Sequence, residues 1–133
     1  MSNANQIEEA KMCFACGPDN PIGLQIRFTL ADDVCSGEFR ANENHVGYSN
    51  TVHGGIIFSA LDDVMANVLY LKNIKAHTAR CEIRYRRPLA VNESIFLKGW
   101  IDSQRKRLIV LRGEARLSDG TLVADCEASF MAA

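Results

Sequence analysis

The sequence predicts an α+β fold: an antiparallel β-sheet wrapped around one long central α-helix. Three observations predict it. Alternating apolar and polar residues open at Leu24, a single stretch of helical period covers residues 55–71, and period-2 alternation then runs to the end of the chain.

Taken in order, residues 1–12 are polar and acidic, a frayed lead-in or a short helix around Gln6 to Lys11. The next segment, CFACGPDNPIGL, combines two prolines, two glycines, Asp19 and Asn20, the composition of consecutive turns. From there Leu24, Ile26, Phe28 and Leu30 alternate with Gln25, Arg27 and Thr29, as in a half-buried strand. Asp32 and Asp33 turn the chain, and Val34 to Ala41 pairs back as a hairpin. Residues 42–52 are polar and turn-like.

The helix is predicted from Gly55 to Leu71. Ile57, Leu61, Val64, Val68 and Leu71 form its core stripe, widened by Phe58, Met65 and Leu69, so a sheet should wrap it. Four strands follow. Cys81, Ile83 and Tyr85 alternate with Arg80, Glu82, Arg84 and Arg86, and Pro88 ends that strand. Ile95, Leu97, Gly99 and Ile101 form the inward set of the next. Ile109, Leu111, Gly113, Ala115 and Leu117 form the third set, before an Asp119-Gly120 hairpin turn. Leu122, Ala124, Cys126, Ala128 and Phe130 close the core, with Val123, Asp125, Glu127 and Ser129 facing out.

The length of 133 residues suits one domain, 1–133, since domains usually run to about 100–150 residues. Fifteen Lys and Arg against 16 Asp and Glu give a net charge of -1, which supplies no global field for nucleic acid or an anionic membrane. No apolar run approaches the roughly 20 residues that span a bilayer, and MSNANQIEEAKM lacks the features of a signal peptide, so a cytoplasmic location is expected. Five cysteines, an odd number without a disulfide-framework spacing, read as thiols.

Chemistry concentrates in VHGGIIFSALDD. Gly54 and Gly55 stand where a loop becomes a helix. Free N–H groups and the positive end of the helix dipole there favour an anion or a developing oxyanion. The alternative is that paired glycines serve only a tight turn or close packing. At about 100° per residue Asp62 falls at the rim of the apolar stripe, where a carboxylate is partly desolvated and its basicity rises. Asp63, on the opposite side with Ser59, Asn67 and Tyr70, reads as solvated or capping. His53 precedes the glycines as a structural or a site residue.

Cys13 and Cys16 form a CxxC, but no second CxxC or paired HxxxH completes a four-ligand zinc site, and no βαβ context supports a redox role. No metal is expected, and the two thiols read as loop packing. Arg84, Arg86 and Arg87, and separately Arg105, Lys106 and Arg107, are solvated edges or a phosphate-binding patch.

The HGG junction with Asp62 nine residues after His53, the CFACGPDNPIGLQIRF segment and the YRRP strand end together resemble the hotdog-fold acyl-CoA thioesterases of the PaaI-like type, over roughly residues 13–131. The resemblance implies a sheet around a central helix, subunits paired edge to edge into a homodimer and often a homotetramer, and hydrolysis of coenzyme A thioesters without metal or cofactor. It implies that the glycine N–H after His53, from Gly54 or Gly55, holds the thioester oxygen. Asp62 of the partner subunit then acts as general base or nucleophile. Thr78, ten residues before Pro88, stands where similar enzymes carry a hydroxyl that positions water. Many members have asparagine six residues before the histidine, where this chain has Gly47, with Asn50 nearer to His53. Arg86, Arg87, Arg105 and Lys106 are the candidates for the CoA nucleotide, and Phe58, with Met65 and Tyr70, for the acyl group.

Within one chain, Gly55 and Asp62 lie about 10 Å apart along the helix, too far to serve one carbonyl, so a second subunit must bring its Asp62 across. Two rival readings are a noncatalytic acyl-CoA binding protein, because of Gly47, and a hotdog hydratase or dehydratase. The hydratase's Asp-x-Asn-x-x-His order does not occur in this sequence.

Overall fold

The computed structural model describes residues 10–133. Ala10 to Met12 form a turn, and the rest of the expected lead-in lies outside the described residues. In chain order the elements are β1 (Thr29–Ala31), β2 (Val34–Arg40), a 3-10 turn (Glu43–His45), β3 (Val46–Tyr48), β4 (Thr51–Val52), α1 (Gly54–Tyr70), β5 (Ala76–Tyr85), β6 (Ser94–Arg105), β7 (Leu108–Arg116) and β8 (Leu122–Ala132).

Six strands make one antiparallel sheet in the order β1-β2-β6-β7-β8-β5, and β3 and β4 make a separate two-stranded ladder. Local chemistry sets the hairpins. Asp32 (φ 52) and Asp33 (φ 64) both adopt left-handed backbone, the geometry of a two-residue hairpin turn, and place Ala31 opposite Val34. Gly120 (φ 91) closes the β7–β8 turn, where Asp119 Oδ1 accepts from Thr121 N at 2.9 Å.

The first strand is shorter than its alternation predicts. Leu24 and Ile26 are buried and Gln25 and Arg27 exposed, but Gln25 takes φ 55, and ladder pairing begins only at Thr29. Before that, Leu24 N and Ile26 N donate to the carbonyls of Phe14 and Ala15, so this stretch pairs with the CFAC loop. Val123, predicted to face out, is fully buried where β8 receives the end of β5: its carbonyl accepts from Arg86 N and Arg87 N.

The helix runs one residue earlier than predicted at both ends, from Gly54 to Tyr70 with Leu71 as its cap, and Asn73 (φ 65) turns the chain away just beyond it. Val64, Met65 and Val68 are fully buried against the sheet. Gly99 and Gly113, paired across β6 and β7, form the saddle on which α1 rests. A Cβ on Gly99 would lie 2.9 Å from the Val64 carbonyl oxygen, and one on Gly113 3.2 Å from Met65 Cγ. Those two glycines set the depth of α1, and hence the position of every side chain it carries.

Two features bear on the site. β5 lies at the edge of the sheet, paired only with β8, and most of its ten residues are exposed. No helix of the described residues is long and apolar enough to cross a membrane.

Candidate active site

The site begins at the start of α1, where four N–H groups lack helical partners. Ile56 and Ile57 donate to the His53 carbonyl at 2.9 and 3.3 Å, and Gly55 donates to His53 Nδ1 at 2.8 Å. Gly54 N–H alone has no partner among the described residues. His53 is therefore the helix cap, and of the two glycines predicted to offer a donor, Gly54 keeps one open in this conformation.

Gly47 gives His53 its room: a Cβ there would sit 2.9 Å from His53 Cα and 3.2 Å from its Cβ. On the other side, the Tyr85 hydroxyl donates to the Gly54 carbonyl at 2.7 Å. A cleft of about 410 Å³ opens here, lined by Val52, Gly54, Ile57, Tyr85, Arg87 and Leu89 among others. A largely apolar cleft ending on one open N–H beside a helix dipole can polarise a carbonyl.

Two turns along the helix stands Asp62. Thr78 Oγ1, on β5, donates to its Oδ1 at 2.7 Å. Burial pushes the Asp62 carboxyl above its ordinary range, and the Thr78 hydrogen bond works in the opposite direction by favouring the ionised form. The result is a half-buried carboxylate with a fixed orientation and raised basicity.

Asp63 is not the solvated residue that its helical angle suggests. Burial first, then the acidic neighbours Cys13 and Asp62, push its carboxyl up to about 7, against a hydrogen bond from Cys16 that pulls it down. Cys13 Sγ lies 3.6 Å from Asp63 Oδ1, and Asn67 Nδ2 donates to Asp63 Oδ2 at 3.0 Å and to its carbonyl at 2.9 Å. The CxxC loop covers this side of the helix, so Asn67 is buried as well. Cys16 donates to Cys13, which holds the Cys13 thiol down and pushes Cys16 up.

Of the remaining predicted residues, Arg86 and Arg87 lie at the Tyr85 end of β5 and line the same cleft. Arg86 is held by Asp125 through a two-pronged pair at 2.9 and 3.0 Å, which leaves Arg87 as the freer cation. Arg105 and Lys106 occupy the β6–β7 turn at the opposite end of the sheet. β8 spans the separation, from Val123 beside Arg86 to Met131 opposite Leu108, roughly 26 Å at the rise of a strand. The four cations are therefore not one patch within a protomer.

Asn50 (φ 61) sits in the β3–β4 turn, its carbonyl accepting from Val91 N at 3.0 Å. Phe58 is half-buried on α1 and does not line the cleft. Met65 is wholly in the core, and Tyr70 lines a separate cavity of about 550 Å³ with Cys16, Ile26 and Asn67, so the three do not form a single acyl tunnel. Tyr85 was legible only as an alternating strand residue; its spacing from the glycines carries no signal.

Comparison with known proteins identifies the family and the fold. A family profile described as the thioesterase superfamily matches residues 49–124, more than half of the chain. No curated protein matches. Among solved structures, a thioesterase superfamily protein is 26% identical with a TM-score of 0.82 over 88% of this chain; this chain spans only 61% of that one. The E. coli PaaI protein from the phenylacetic acid degradation operon is 19% identical, with a TM-score of 0.83, covering 96% of this chain and 93% of its own.

A hypothetical thioesterase of Streptococcus pneumoniae, solved with coenzyme A, is 16% identical with a TM-score of 0.77, over 81% of this chain and 85% of its own. Two further structures of a hypothetical thioesterase from that organism carry alanine in place of one aspartate and of a threonine sixteen positions after it. The architecture is the hotdog fold.

Proposed function

The chain belongs to the thioesterase superfamily, and on that premise we propose that it is an acyl-CoA thioesterase, hydrolysing a coenzyme A thioester to the free acid and CoA. Each of two sites in a homodimer takes Gly54 N–H from one subunit and Asp62 from the other. One observation carries this reading: the free edge strand β5 touches both groups, at opposite ends. Tyr85 holds Gly54 at one end, and Thr78 holds Asp62 near the other. Antiparallel pairing of β5 with its own copy lays the Thr78 region of each chain against the Tyr85 region of its partner. That pairing brings Asp62 of one subunit toward Gly54 of the other, twice.

Along one helix the two residues stand about 12 Å apart, which is too far to serve one carbonyl carbon. In the proposed reaction the thioester oxygen accepts from Gly54 N–H. Asp62 takes a proton from water as the oxygen attacks, or attacks directly to give an anhydride that water then opens. By the first route the C–S bond then breaks and Asp62 returns the proton to the leaving sulfur. By the second the C–S bond breaks as the anhydride forms, CoA leaves as thiolate, and the water that opens the anhydride supplies the proton. Arg87 supplies charge for the CoA phosphates at the mouth of the cleft. The Streptococcus pneumoniae replacements support the choice of acid, since their aspartate-to-threonine separation is that of Asp62 and Thr78.

The test is a panel of acyl- and aroyl-CoAs with wild type and Asp62→Ala. Hydrolysis that falls at least a hundredfold in the variant is expected, and undiminished turnover rejects the assignment. Gly47 favours a second reading, a noncatalytic acyl-CoA binder, which tight binding without hydrolysis of any panel member would support.

A further inference from the structure

We propose that Cys13, Cys16 and Asp63 form a binding site for a thiophilic divalent cation, zinc above all, that fastens the N-terminal loop to the central helix. Their ligand atoms all lie within 4.8 Å of one another. They come from two stretches of chain separated by 50 residues. A tetrahedral zinc with Zn–S about 2.3 Å and Zn–O about 2.1 Å requires an S···O edge of about 3.6 Å. Cys13 Sγ and Asp63 Oδ1 are 3.6 Å apart. The donor set suits zinc, which accepts thiolate and carboxylate together, and leaves a fourth position for solvent.

Both halves of the site are pre-shaped. Cys13 O accepts from Gly17 N at 2.7 Å, bending the CxxCG segment into a tight knuckle that turns both sulfurs the same way. Gly17 has no room for a side chain, since a Cβ would lie 2.4 Å from Cys13 N and Lys11 O. On the helix, Asn67 occupies Asp63 Oδ2 and leaves Oδ1 toward the thiols, the orienting contact that ligand carboxylates usually receive. Apolar packing of two thiols does not account for this arrangement, because they face a carboxylate. Three groups that become anionic on losing a proton share one half-buried space, and a dication neutralises them.

The ion would also fix the stretch that follows, because Phe14 and Ala15 carry the hydrogen bonds of Leu24 and Ile26. The test uses the full chain, reduced, stripped with a chelator, equilibrated with zinc alone and desalted. About one zinc per chain is expected by elemental analysis, and cobalt in its place should give a sulfur-to-metal charge-transfer band. Cys13→Ser, Cys16→Ser and Asp63→Asn should each weaken zinc binding about tenfold or more, while Cys81→Ser retains it. Zinc should raise the melting temperature of wild type but not of the near-isosteric Asp63→Asn, which separates a lost ligand from a lost fold. Wild type that keeps no zinc and shows no charge-transfer band overturns the proposal, as does full binding in both cysteine variants.

Discussion

Thr78 Oγ1 donates to Asp62 Oδ1 across 2.7 Å, joining the exposed edge strand to the middle of the buried helix. The bond stabilises the carboxylate over the acid, against burial, which raises the Asp62 pKa. A base works when deprotonated, so activity should rise with pH through that pKa. Thr78→Val removes the stabilising donor and should move the acidic limb of kcat/KM to higher pH by about one unit, with Thr78→Ser restoring it. A pH profile measures this, and a limb that stays in place would disconnect the hydroxyl from the base.

At the helix start, proline at position 54 removes one N–H and adds a Cβ about as close to the Tyr85 hydroxyl as alanine's, 3.3 Å. The first helical position tolerates proline, and His53 already has the extended backbone (φ -58, ψ 132) that a residue before proline prefers. Gly54→Pro should lower kcat by about 10²–10³-fold with a melting temperature close to wild type. Gly54→Ala, which keeps the N–H, should retain most of the activity despite a 3.3 Å approach to the Tyr85 hydroxyl.

Gly47 makes space for the cap. Gly47→Ala sets a Cβ 2.9 Å from His53 Cα, so the loop or the imidazole must move. The expected cost is about 1–3 kcal/mol in urea unfolding, with a loss of activity as Gly55 loses its His53 acceptor. A variant of unchanged stability would mean that the β3–β4 ladder shifts freely.

The cations separate by position. Arg87→Glu, at the cleft, should raise KM for CoA thioesters more than it lowers kcat, as loss of uniform phosphate binding does. Arg86→Gln should act mainly on the Asp125 pair and change KM less. Steady-state kinetics on the two variants compare them directly, and equal effects would remove the distinction.

The helix, the hairpins and the inward sets of β6 and β7 were legible because their signals are local: a period, or a turn pair such as Asp32-Asp33. What was illegible depended on residues far apart in sequence. The angular position of Asp63 places it opposite the sheet-facing stripe, and nothing in that pattern reveals that the loop of Cys13 and Cys16 covers it 50 residues away. Arg86 and Arg105 are alike as sequence, and only the run of β8 between them sets them at opposite ends. The choice between Gly54 and Gly55 rests on one His53 rotamer, which takes the second N–H. Asp62 was legible because its rim position follows from the helical period alone.

The central claim, a site shared between two chains, is tested most directly by pairing two inactive variants. Asp62→Ala and Gly54→Pro chains carrying different affinity tags are co-expressed, and the heterodimer is purified through both tags. One of its two sites then combines an intact Gly54 from the first chain with an intact Asp62 from the second. The heterodimer should recover roughly half of the wild-type activity per dimer, against almost none for either parent. A heterodimer as inactive as its parents would mean that both groups act within one chain.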